Sequence, residues 1–197
     1  MRGLVYVLRP SRQATRQVAV KLPPGAVPLK GAEIVPLGSI VYAEKGRVAL
    51  TTEAGTRVRG RRQTQRATFF DGVFQVRQRR ARRAVTDLIL RSPNFAKVCS
   101  SSAKGARAAA ARRRSKKVVV RLSGDGRGRF RTRGRNSTAT VRGTRWLTEE
   151  RCDGTLTRVT KGSVTVRDLR LRRTIVVRAG SSYLARGRRA AVKTRRP

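Results

Sequence analysis

The chain has 197 residues, with 49 Lys+Arg against 10 Asp+Glu, no His and a formal net charge of +39. That length allows one large or two small domains, and 38% apolar with 5% aromatic residues predicts a core of small aliphatic side chains rather than rings. The charge selects polyanions as partners, whether nucleic acid, anionic lipid or acidic wall polymer, without choosing among them, and its bias toward Arg over Lys is also what a GC-rich genome produces.

At the N-terminus, "MRGLVYVLRPSRQ" is charged too early for a signal peptide, and no stretch reaches the ~18 apolar residues of a membrane helix, so the chain reads as soluble and without an address. Residues 4–8 already form a strand pattern, which makes Met1 a candidate internal start of a longer precursor. Alternating runs rich in Val, Ile, Thr and Phe predict strands over 4–8, 17–22, 39–42, 47–52, 67–70, 73–78 and 85–90. After a break they resume over 118–122, 128–133, 137–142, 146–148, 156–160, 163–167 and 174–179. The expected class is all-β.

The break is "SSSAKGARAAAARRRSKK", residues 100–117, which has no apolar periodicity and suits a basic Ala/Arg linker, with helix over 106–113 as one reading. The predicted organisation is a β module over 1–99, the linker 100–117, a second β module over 118–186 and a basic tail 187–197. The halves match at an offset of 90 residues: Gly38, Ile40 and Tyr42 on Gly128, Phe130 and Thr132, and Gly72, Phe74 and Val76 on Gly162, Val164 and Val166.

Catalytic chemistry is poorly supplied. Without His, acid–base work would fall to scattered carboxylates, and the only cluster, Glu149-Glu150-Arg151-Cys152-Asp153-Gly154, reads as a hairpin turn ending in Asp-Gly. "GDGRGRF", residues 124–130, lacks the Lys-Ser/Thr of a phosphate loop and reads as a turn feeding a strand. No metal set is present, and no enzyme activity or cofactor is expected. Cys99 and Cys152 are either two free thiols or one disulfide between distant parts of the chain.

The most distinctive stretch is "GRGRFRTRGRN", which places Arg127, Arg129, Arg131, Arg133 and Arg135 at every second position. In a strand these five share one face, and Gly128, Phe130, Thr132 and Gly134 take the other. Arg recognises phosphate and carboxylate bidentately, so the five form a candidate polyanion-binding row. The alternative is a solvated strand face that guards an edge. Aromatic platforms for stacking bases are scarce, which counts against single-stranded nucleic acid.

The segment "GRFRTRGRNSTATVRGTRWLTEERCDGTLTRVTKGSVTVRD" carries a likeness. Thr132, Ser137, Ala139, Val141, Arg142, Gly143, Thr144, Trp146, Gly154, Thr155, Thr157, Val159, Gly162, Val164 and Val166 resemble the core pattern of the FecR-domain family over roughly residues 124–180. The first half resembles it more loosely through "VPLGSIVYAEKGRVALTT" and "TFFDGVFQVRQ". The layout is similar to secreted FecR-like proteins of high-GC actinobacteria. The resemblance implies two extracytoplasmic β modules of stacked hairpins, arranged as a sandwich or short β-helix. In that family the module relays a receptor's state to a sigma factor across one membrane helix, and neither that helix nor an anti-sigma region is found in this chain. An exported context would pair Cys99 with Cys152 and tie the modules across the linker.

The expected function is therefore a non-enzymatic exported or cell-envelope protein with a binding, sensory or scaffold role. Its partner would be a protein or an anionic envelope polymer. The competing expectation is a cytosolic basic protein that binds nucleic acid through phosphate contacts.

Overall fold

The computed structural model describes residues 2–10, 22–92, 94–100 and 115–187. Most of the expected linker, all of the basic tail but Gly187, and all but Leu22 of the strand expected over 17–22 lie outside them, and Leu22 belongs to no strand. The described chain is all-β but for one short helix. Its elements are β1 (Arg2–Leu8), β2 (Val27–Pro28), β3 (Ile40–Val58), β4 (Arg61–Gln78), β5 (Thr86–Leu90), α1 (Phe95–Ser100), β6 (Val118–Arg133), β7 (Ser137–Arg151), β8 (Gly154–Lys161), β9 (Ser163–Asp168), β10 (Thr174–Arg178) and β11 (Ser182–Arg186).

Four pairs of expected short strands are single long ones: β3, β4, β6 and β7 each absorb two. The residues between them are irregularities inside a strand. Pairing slips between Ala43 and Arg47 on β3 and between Gly126 and Arg129 on β6, and Asp71 on β4 has φ 63°. Turn-forming residues serve a β-bulge as well as a turn, and a bulge bends the strand. "GDGRGRF" is thus not a hairpin turn. Helix α1 and strands β2 and β11 were not expected: α1 and β2 are too short to show a period, and Ser182–Arg186 of β11 has no run of β-branched residues.

The bends fold the long hairpins over. Gln65 and Gln78, both on β4, donate to the Thr86 hydroxyl at 3.1 and 3.0 Å, whereas a straight strand from 65 to 78 would separate them by roughly 43 Å. Thr148 pairs across from Leu122, yet its hydroxyl lies 2.9 Å from that of Thr132 on the same β6. Each hairpin therefore covers its own inner face.

Strand order is β10-β9-β7-β6-β5-β4-β3-β1-β2, with β8 paired to the far half of β7 and β11 to β8. All neighbours are antiparallel except β5 and β6. Cutting at that parallel pair leaves two meanders with the same pairing. Val7, Val41, Phe74 and Leu90 form one buried row across β1, β3, β4 and β5. Phe130, Val141, Val164 and Val177 form the equivalent row across β6, β7, β9 and β10. The 90-residue offset thus joins equivalent positions at Phe74 and Val164. It fails at Gly38, which precedes β3, and Gly128, which is inside β6, the counterpart of β1.

The segment 100–117 separates the halves in sequence, but in space they share one hydrophobic cluster. Phe69 is its hub, with ring centroids 5.7 Å from Phe74, 5.4 Å from Phe130 and 6.0 Å from Trp146. Strand β4 also pairs directly with β6, from Arg66↔Arg127 to Phe70↔Ser123. Cys99 on α1 and Cys152 in the β7–β8 turn form a disulfide, so a covalent tie joins the halves as well.

Candidate polyanion interface

The arginine row is divided by the strand that carries it. Gly128 has φ 126°, a conformation that side-chain-bearing residues rarely adopt, and it forms the bulge of β6. Beyond it Phe130 and Thr132 are fully buried, while Arg129, Arg131 and Arg133 project from the opposite face. Arg129 is fixed by its backbone N–H, which donates to Gln65 Oε1 at 2.7 Å.

Register extends this face across neighbouring strands, since directly paired residues point the same way. One line runs Arg77, Asp87, Arg131, Thr140, Thr165, Val176. The next runs Gln75, Ile89, Arg133, Thr138, Arg167, Thr174. Arg178 stands opposite Ser163 at the β10 end. Along a strand the cations are ~6.6 Å apart, and neighbouring strands are ~4.8 Å apart. The face therefore offers a grid of Arg and Thr donors on a rigid support.

One carboxylate stands among these residues. Asp87 receives Arg131 Nε at 2.5 Å and its terminal nitrogen at 2.8 Å, and Arg133 approaches at 3.9 Å. The hydrogen bond to Asp87 holds the Arg131 guanidinium protonated beyond even its usual range, against the opposing effect of partial burial. Asp87 thus neutralises one cation of the face and fixes its orientation. Arg77, Arg133, Arg167 and Arg178 are exposed.

The other two members of the expected row lie elsewhere. Arg127 is on the near side of the bulge, opposite Arg66 on β4. Arg135 is past the end of β6, with its guanidinium 4.1 Å over the Phe95 ring and its N–H donating to Glu150 Oε1 at 2.9 Å. Sequence reasoning missed Arg77, Arg167 and Arg178. Arg167 and Arg178 each alternate with buried Val, but only strand order shows that β9 and β10, which carry them, continue the β6 face on the far side of β7.

The acidic cluster is not one turn. Glu149 and Glu150 belong to β7, and only Cys152 and Asp153 turn the chain. Glu150 is fully buried. Burial pushes its pKa up, against the Thr155 hydroxyl and the Arg135 N–H, which both bond Oε1. Its Oε2 has no partner. Asp168, also fully buried, behaves oppositely. Burial opposes its ionisation, but the Leu171 N–H, the Tyr183 hydroxyl and the Arg170 N–H donate to both of its oxygens and bring its pKa below the usual value.

No helix among the described residues is long and apolar enough to cross a membrane. Comparison with family models, with curated proteins and with solved structures gave no match.

Proposed function

We propose that this chain is a non-enzymatic, exported or envelope-associated β protein of FecR-like type, whose arginine face holds a linear anionic polymer. The observation that carries this reading is the grid of exposed Arg77, Arg133, Arg167 and Arg178 with half-buried Arg129 among them, offset by the single carboxylate of Asp87. The disulfide is compatible with an oxidising compartment, which favours an envelope polymer over nucleic acid. The FecR-like likeness rests on the motif of residues 124–180 and supports a fold and a compartment.

Binding of long-chain polyphosphate, measured against salt, tests it. The triple variant Arg129→Ala, Arg133→Ala, Arg167→Ala is expected to bind at least ~10-fold more weakly at 0.15 M salt and to lower the log–log salt slope by about 2, with its melting temperature unchanged. Equal affinity of variant and parent would remove the face from the reading. Double-stranded DNA bound more tightly than polyphosphate, by a protein whose cysteines are reduced in its own cell, would replace it with the nucleic-acid reading.

A further inference from the structure

Arg135 leaves the strand face for a cleft that the polymer reading does not use. The cleft has a volume of about 700 Å³ and is lined by Phe95, Arg135, Asn136, Cys152, Leu169, Arg170 and Gly187, within the ~300–1,000 Å³ of small-ligand sites. Its described walls come from five separate places: α1, the loop after β6, the β7–β8 turn, the loop after β9 and the residue after β11. We propose that this cleft binds a single terminal oxyanion group, phosphate or carboxylate, of a linear anionic ligand, with Arg135 and Arg170 as its cationic contacts. The inference rests on the polyanion reading, because the cleft lies where the row of Arg129, Arg131 and Arg133 ends.

The observations agree in charge and in rigidity. Among the described residues, two guanidinium groups and no carboxylate line the cleft. The Arg135 guanidinium carbon stands 4.1 Å over the Phe95 ring, a cation–π contact that leaves N–H groups for a bidentate oxyanion. Its backbone is anchored on Glu150. The close approach there needs glycine next door, since a Cβ at Gly134 would stand 2.0 Å from Glu150 Oε1. The Arg170 loop is anchored by Asp168, which accepts the Arg170 N–H at 2.9 Å and the Leu171 N–H at 2.8 Å. It is joined to the first loop by the Leu169 N–H on the Asn136 carbonyl at 2.9 Å. Phe95, Leu169 and the disulfide give the cleft an apolar side that raises the strength of the ionic contacts. Because Cys152 lines the cleft and Cys99 holds α1, the site is complete only in the oxidised protein.

Isothermal titration with tripolyphosphate as probe, on the full oxidised chain at 0.15 M salt, tests this alongside long-chain polyphosphate. Saturable one-to-one binding of tripolyphosphate is expected. The Arg135→Gln, Arg170→Gln pair should weaken it at least ~10-fold, while long-chain polyphosphate loses less than ~3-fold. Arg170→Gln alone, at an exposed side chain, should give a ~3- to 10-fold loss with unchanged melting temperature, which guards against a folding artefact of the pair. Reduction with dithiothreitol should lower tripolyphosphate affinity and leave the face intact. No one-to-one binding by the parent, or equal binding by the Arg170→Gln variant, overturns the cleft site. Failure of the polymer reading is separate: long-chain polyphosphate would then be indifferent to the face variant whatever tripolyphosphate does.

Discussion

The row Val7, Val41, Phe74, Leu90 of the first meander and the row Phe130, Val141, Val164, Val177 of the second occupy equivalent pairing positions, yet the polar groups around them differ in kind. Among the described residues of the first half the buried polar side chains are Ser39, Gln65, Gln75 and Thr86, all neutral. Gln65 alone donates to Glu53 O, Ala84 O and the Thr86 hydroxyl and accepts from the Arg129 N–H. In the second half they include Glu150, Asp153 and Asp168. Amides stitch a folded-over hairpin at any pH, whereas a buried acid does so only in the charge state its donors favour. One architecture thus keeps its fully buried acids in the second half, while the fully buried polar groups described in the first are neutral.

The comparison breaks most visibly at the hub they share. Phe69→Ala removes the ring between Phe74, Phe130 and Trp146 and is expected to cost about 3–5 kcal/mol. Because the core is common, urea unfolding of parent and variant should follow a single transition by both fluorescence and circular dichroism. Two transitions would show that the meanders unfold separately.

The disulfide is next. Its cysteines are 53 residues apart, and on the chain-entropy account replacing both with Ser should cost roughly 3–4 kcal/mol, read as a lower denaturation midpoint in urea. A loss below ~1 kcal/mol would mean that α1 is already held in place without the bond.

The two buried acids sharpen the contrast in opposite senses. Asp168 has its pKa lowered in the fold, so its contribution is present above the ordinary carboxylate range and is lost as the pH falls through the folded value. Asp168→Asn should cost about 2 kcal/mol at pH 7 and flatten the acid limb of the stability profile. Glu150 has its pKa raised, so the folded state holds its proton more tightly and stability falls as the pH rises from the ordinary glutamate range through the folded value. Glu150→Gln keeps an acceptor for Arg135 N–H and Thr155 and removes the charge. The smallest effect is expected here: little change near pH 4 and a gain of up to about 1 kcal/mol near pH 8. Chemical denaturation across that range checks both, and Gln75→Leu in the first half, which leaves the Gly38 carbonyl and Arg91 without their partner, should lower the whole profile without changing the Asp168 and Glu150 limbs.

Much of the strand content could be read locally. Val164 and Val166 alternate with exposed Ser163, Thr165 and Arg167, so the period of two located β9, and Phe130 and Thr132 showed which side of β6 is buried. The turn that ends at Asp153 and enters β8 at Gly154 was legible for the same reason, because turn chemistry is set by neighbours in sequence. Continuity was not legible. Asp71-Gly72 and Gly126–Gly128 present the same residues whether the chain makes a hairpin or bulges within a strand, and only the partner strand decides which.

Composition and the period of two determined that this protein is all-β and strongly basic, because side-chain alternation and net charge are properties of the chain alone. The tertiary structure decided which arginines act together. A face is made by strands that meet in space, so Arg77, Arg167 and Arg178 joined Arg129, Arg131 and Arg133 through inter-strand register, while one bulge and one strand end removed Arg127 and Arg135. The tertiary structure also brought Cys99 to Cys152, 53 residues apart, because the two halves share a core that places α1 beside the β7–β8 turn.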